Sequence, residues 1–174
     1  MGNNREALER GFAKAKDIIR QKMESILVRE ANVLALKAHD LYKSPRMAFT
    51  GNTWTGTAVG AYSNGKLVYY VTTKMIADMD PAIRNKLKKG ERVFLNPDYM
   101  GRARSFTGVI NTDSGNSEND AITFLLSHNP NSRYAITVVN GSEYAEYIEQ
   151  VLDGDVITGT YHYAGNLRAI DLIK

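Results

Sequence analysis

The sequence predicts an α+β domain in which one long N-terminal helix packs on a small antiparallel sheet, with a short strand–helix insertion. Three observations carry that expectation. Apolar residues recur at steps of three and four from Leu8 to Leu41, with no proline before Pro45. Asn64-Gly65 stands between two alternating runs, the strongest short hairpin signal. Ala135–Asn140 alternates and is apolar on both faces, as in a strand covered on both sides. The 174 residues read as a single domain. Its parts are the long helix (1–46), the hairpin (47–73), the insertion (74–130), and the central strand, acidic helix and C-terminal segment (131–174).

Asn3-x-x-Glu6 forms a helix start, with asparagine as cap and glutamate reaching back. The stripe runs through Leu8, Phe12, Ala15, Ile19, Met23 and Ile26 and continues through Leu27, Ala31, Leu34, Ala38 and Leu41. A single helix of this length spans ~60 Å, more than the sheet can cover, so one end should protrude or meet a neighbour. Two shorter helices on one core are the alternative. Ser44-Pro45 ends the run.

Strands Thr55–Tyr62 and Lys66–Thr73 follow, with Val59, Leu67, Tyr69 and Val71 as the packed face. Trp54, the only tryptophan, reads as packing at the hairpin edge. Asp80-Pro81 opens a short helix, Pro81–Lys89, with Asp80 as cap and Gly90 as stop. Lys86, Lys88 and Lys89 crowd its end, where cations suit the helix dipole. Arg92–Leu95 reads as a short strand and Met100–Arg104 as a basic loop carrying Arg102 and Arg104. Its basic residues are too sparse for a sequence-specific nucleic-acid motif.

Ser105–Asn111 reads as another strand and Thr112–Asn119 as a loop. Ser117 or Asn119 should then cap a helix over Asp120–Ser127. The strand Arg133–Asn140 should be the centre of the sheet. Gly141 tolerates positive φ and Ser142 caps the next helix. That helix is acidic and tyrosine-bearing, with Glu143, Tyr144, Glu146, Tyr147 and Glu149. Val156–Ile157 reads as a short peripheral extended piece, so an aspartate at Val138 should cost more than one at Val156. Periodicity leaves the last residues open between helix and strand.

Composition narrows the function. The chain has no cysteine, which excludes disulfides and thiolate metal sites. No run of 18 apolar residues occurs, so no membrane partner is expected. The opening MGNNREALERG lacks an apolar signal core, so the chain should be made and kept in a cytosol or packaged from one. His39, His128 and His162 are scattered, each reading as a surface or cap residue, and no metal, cofactor or nucleophile motif is present. The residues therefore predict no enzyme, no cofactor and no metal. Net charge is +3 but segregated: residues 81–104 carry seven basic and two acidic groups, and residues 112–155 one and eight. Opposite regions on one chain suit head-to-tail contact with copies of itself, although solvated faces of a monomer look the same.

Three separated pieces of the chain also resemble a family, the long N-terminal helix among them. Thr50-Gly51-Asn52 before the first strand, and Gly141, Tyr144, Ala145 and Glu149 after the strand 133–140, are similar to the neck and tail-completion proteins of long-tailed phages. Trp54 and Gln150-Val151 depart from that pattern, and the insertion Lys74–Gly108 lacks a counterpart in short members. The resemblance implies helix for the C-terminal segment. It implies a structural virion protein of the head–tail connector, assembled in the host bacterial cytoplasm. It would form a homo-oligomeric ring and bind other neck, connector or tail proteins. The expected ring contact sets Glu143, Glu146 and Glu149 against Lys86, Lys88, Lys89, Arg102 and Arg104. Tyr144, Tyr147 and the exposed end of the long helix would supply apolar burial. A small α+β enzyme or ligand-binding domain, with its site under the 74–108 insertion, is the alternative.

Overall fold

The computed structural model describes residues 3–41, 52–95, 114–143, 145–150 and 155–165. The expected strand Ser105–Asn111, the basic loop with Arg102 and Arg104, Tyr144, and residues 166–174 lie outside them. The fold is α+β: a long N-terminal helix packed on a three-stranded antiparallel sheet.

Helix α1 (Asn3–Leu41) is one helix of 39 residues. A one-turn helix α2 (Asn52–Thr55) leads into strand β1 (Thr57–Ser63). Asn64 (φ 52°) and Gly65 (φ 75°) make the tight turn to β2 (Lys66–Thr72), both central residues being left-handed as such a turn requires. Helices α3 (Thr73–Ala77) and α4 (Pro81–Lys88) come next, then α5 (Ser114–Ser127), β3 (Tyr134–Asn140), α6 (Ala145–Gln150) and α7 (Ile157–Gly165).

The strand order is β2-β1-β3. Among the described residues strand 133–140 is therefore an edge and not the centre, and its described residues are only half-buried. β1 is central and buried at every residue. Its sequence, TAVGAYS, is small rather than oily, and smallness lets helices approach both faces. On one face Val59, Ala61 and Val71 meet Leu27, Ala31, Leu34 and Ala35 of α1, with Met75, Ile76 and Leu87. On the other, Ala58 and Tyr62 meet Ala121 and Leu125 of α5. The Tyr62 hydroxyl donates to the Leu125 carbonyl at 2.8 Å and ties the two layers together.

Other expectations need correction. The β1–β2 register shifts between Ala61 and Tyr62, where Val68 is the extra residue. That bulge turns Leu67 to the α5 face, away from Tyr69 and Val71. Thr73 leaves the strand because the Thr72 side chain caps α3, accepting from the Met75 amide at 3.1 Å. Residues 92–95 form no strand; the Val93 carbonyl instead accepts from Asn32 Nδ2 at 2.6 Å. Helix α5 starts before Ser117 and Asn119, so neither caps it. Val156 is fully buried against Ala38, and Ile157 already begins α7. Asp80 does cap α4, accepting from the Ala82 amide at 2.6 Å, with Pro81 in the first turn.

The apolar stripe of α1 does not run straight into the core. Residues 4–22 are exposed, and burial begins at Met23. At ~100° per residue, the Leu8–Ile19 stripe is centred about 100° around the axis from the centre of Leu27, Ala31 and Leu34. The two halves of the helix offer different faces.

Candidate functional site

The β3–α6 junction is built on Asn140. Its Nδ2 donates to the Thr53 carbonyl and to Thr57 Oγ1, both at 2.8 Å, and its Oδ1 accepts from the Ser142 amide at 2.8 Å. One side chain thus fastens the α2–β1 entry to the β3 exit. Thr53 and Asn140, 87 residues apart, meet here, each next to one of the stretches whose residues resemble the phage family. Gly141 has no left-handed backbone. It is glycine because α5 lies against it: an added Cβ would stand 2.2 Å from the Ser117 carbonyl oxygen and 2.6 Å from the Ala121 nitrogen. The Ser142 hydroxyl makes no cap bond; its carbonyl accepts from the Ala145 amide at 3.1 Å instead.

The acidic residues divide. Glu143 and Glu146 are exposed, and Glu146 accepts from Gln150 Nε2 at 3.0 Å. Glu149 is committed inside the molecule. Its carboxylate accepts from the amides of Val156 and Ile157, each at 2.8 Å, and from the amide and hydroxyl of Thr158 at 3.3 and 3.1 Å. It is the anion at the N-terminus of α7, where unpaired amides and the dipole favour negative charge. Its expected place in an intermolecular contact is thereby taken. Tyr147 falls within α6.

On the basic side, Lys86, Lys88 and Lys89 are exposed at the C-terminal end of α4. Gly90 (φ 72°) closes that helix, and the Glu91 amide bonds the Lys86 carbonyl at 3.0 Å. Arg84 turns inward and donates to the Ile76 and Ala77 carbonyls at 3.1 and 3.0 Å. Among the described residues no ion pair joins the three lysines to Glu143, Glu146 or Glu149. Both sets remain available to another chain, apart from Glu149.

The structure also holds a buried acid that the sequence reading missed. Glu118 on α5 accepts from Thr72 Oγ1 at 2.6 Å and from Lys74 Nζ at 3.1 Å. It clips α5 to the β2–α3 corner. Its partners lie over 40 residues away, so no local signal could reveal it.

Beside the described part of the insertion lies an open groove of about 420 Å³, lined by Tyr69, Tyr70, Met75, Phe94 and Leu95 among others. A pocket of about 30 Å³ is lined by Met75, Met79, Ile83, Val93, Phe94 and Leu95, all apolar. Nearby, the Tyr69 hydroxyl donates to Asn32 Oδ1 at 2.8 Å. Burial pushes its pKa up to about 12, although hydrogen bonds to the Leu95 backbone and Asn32 oppose the rise. Among the described residues, no three His, Cys, Asp or Glu converge on a metal position. His39 is buried, not at the surface as expected, because α2 packs Trp54 against it with ring centroids 5.1 Å apart. His128 stacks on Phe124 at the end of α5, and His162 is exposed on α7. Among the described residues no helix is long and apolar enough to cross a membrane. Comparison with protein-family models, curated proteins and solved structures found no match.

Proposed function

We propose that this chain is a structural subunit of a long-tailed phage neck, a virion protein that assembles with copies of itself into a ring joining head connector to tail. The observation that carries the reading is the bare first half of α1. Leu8, Phe12, Ile18 and Ile19 are each more than half exposed, on a segment that joins no core cluster among the described residues. Small stable monomers rarely leave such a stripe uncovered. A chain built this way is completed by another chain, which suits an assembly subunit better than a self-contained enzyme. The bond between Asn140 and Thr53, each adjoining one of the family-like stretches, adds support. The exposed acids Glu143 and Glu146, and the exposed lysines of α4, supply unlike patches for a head-to-tail contact.

The test is sedimentation with electron microscopy of the purified chain. Wild type should form closed rings that weaken as salt rises. Glu143→Lys with Glu146→Lys should keep the fold by circular dichroism yet lose rings. Adding Lys86→Glu, Lys88→Glu and Lys89→Glu should restore part of the assembly. A wild type that forms no ring and binds no isolated phage connector or tail would overturn the proposal.

A further inference from the structure

We infer that the projecting half of α1 pairs antiparallel with the same segment of a second copy, giving a two-fold dimer separate from any ring contact. Among the described residues the stripe belongs to no core cluster: it is centred about 100° around α1 from Leu27, Ala31 and Leu34. Gly11 lies within it. An added Cβ there meets nothing within 4 Å, and its φ is not in the left-handed region, so a single copy gives this glycine no use. A glycine inside an exposed helix is less favourable than alanine. Its place is explained when another backbone comes close.

Antiparallel overlap of the apolar stripe from Leu8 to Ile19 on itself sets one register. It places Leu8 opposite the partner's Ile19, and Phe12 opposite the partner's Ala15. Each large side chain then faces a smaller or equal one, and the two-fold repeats both pairs. On one flank Gly11 faces the partner's Ile18. On the other Glu9, which also accepts from Arg5 of its own helix at 3.1 Å, faces the partner's Lys16, an opposite-charge pair formed twice. An in-register parallel pair would stack Phe12 on the partner's Phe12 and match no opposite charges. It would also crowd the two bodies at one end, whereas the antiparallel pair holds them at opposite ends. Over ~28 Å of helix such a seam buries about 1,000 Å² in total, at the low end for specific interfaces, so the dimer is reversible. The inference does not depend on the phage reading.

The native chain has no cysteine, so single cysteines report the register directly. Leu8→Cys and Ile19→Cys should each give little disulfide dimer alone under a mild oxidant, and much more when mixed. Adding Phe12→Asp to both should abolish the cross-link. In sedimentation equilibrium the ring-deficient chain with Glu143→Lys and Glu146→Lys should move with concentration from 19.4 kDa toward twice that mass. Adding Phe12→Asp to that chain should hold it at the mass of one chain with unchanged circular dichroism, since Phe12 belongs to no core cluster among the described residues. A ring-deficient chain monomeric at every concentration, or cysteine variants that cross-link to themselves better than to each other, would overturn the pairing. So would a larger particle that lacks the 8–19 cross-link. The double reversal at Glu143 and Glu146 should leave this cross-link intact, so failure of the ring and failure of the pair are read separately.

Discussion

Gly141→Ala tests the packing that positions the junction. The new Cβ would stand 2.2 Å from the Ser117 carbonyl oxygen, 2.6 Å from the Ala121 nitrogen and 3.1 Å from Asp120 Cβ. The two nearest are backbone atoms, so no rotamer change relieves them. An ordinary contact needs about 3.4 Å, so α5 must move off the strand end by about 1 Å. That movement pulls Ala121 and Leu125 away from Ala58 and Tyr62, and stretches the 2.8 Å bond from the Tyr62 hydroxyl to Leu125. It also loads the Glu118 contacts to Thr72 and Lys74. Overpacking of this kind costs about 1–3 kcal/mol, and the rigid neighbours put this case near the top of that range. Urea denaturation followed by circular dichroism should show a lower midpoint with an unchanged slope. A loss below about 1 kcal/mol would mean that α5 is not held on Gly141 as described, and the argument for its glycine would fail.

Two further outcomes follow from burial. The neutral form of Tyr69 is favoured on folding, because its pKa rises from 10.0 to about 12. Its contribution is full below the unfolded value and is lost as pH rises through the folded one, by about 2–3 kcal/mol in all. Urea midpoints compared between about pH 9 and about pH 11 should fall less in Tyr69→Phe than in wild type; equal falls would refute the assignment. Val156 is fully buried beside Ala38, while Val138 is half-buried on an edge strand. Val156→Asp should therefore cost more than ~3 kcal/mol and Val138→Asp less, ranked by chemical denaturation, with the opposite order counting against the packing of α7.

What was legible in the sequence was local. Asn64-Gly65 specifies its turn through two adjacent left-handed residues, and Asp80-Pro81 specifies a helix start through one side chain and one ring. The unbroken run to Pro45 announced α1. The centre of the sheet was hidden because β1 earns its place by small size. Ala58, Gly60 and Ala61 look weaker than the Val138-Val139 pair of β3, yet only small residues admit a helix on each face. The acidic helix was legible, but the use of its charge was not. Glu149 reaches forward to residues 156–158, across a segment whose course no periodicity encodes. The turn of the α1 stripe was available: counting ~100° per residue from Leu8 to Leu34 separates the two faces.

That turn also separates stability from association. The buried half of α1, from Met23 onward, is held by the sheet, α3, α4 and α7. It serves as a ready nucleus for the exposed half, which escapes the unfavourable first turn that an isolated helix must form. Three ion pairs at helical spacing, Arg5–Glu9, Arg10–Glu6 and Arg20–Asp17, lie along that exposed half. Each is worth only a few tenths of a kcal/mol at such exposure, but none involves the apolar stripe. Substitutions at Leu8, Phe12 or Ile19 therefore leave both supports in place: the nucleus below and the ion pairs alongside. A change in association caused by those variants is a property of the stripe itself, and a change in helicity would instead show that the stripe is needed to hold the segment straight.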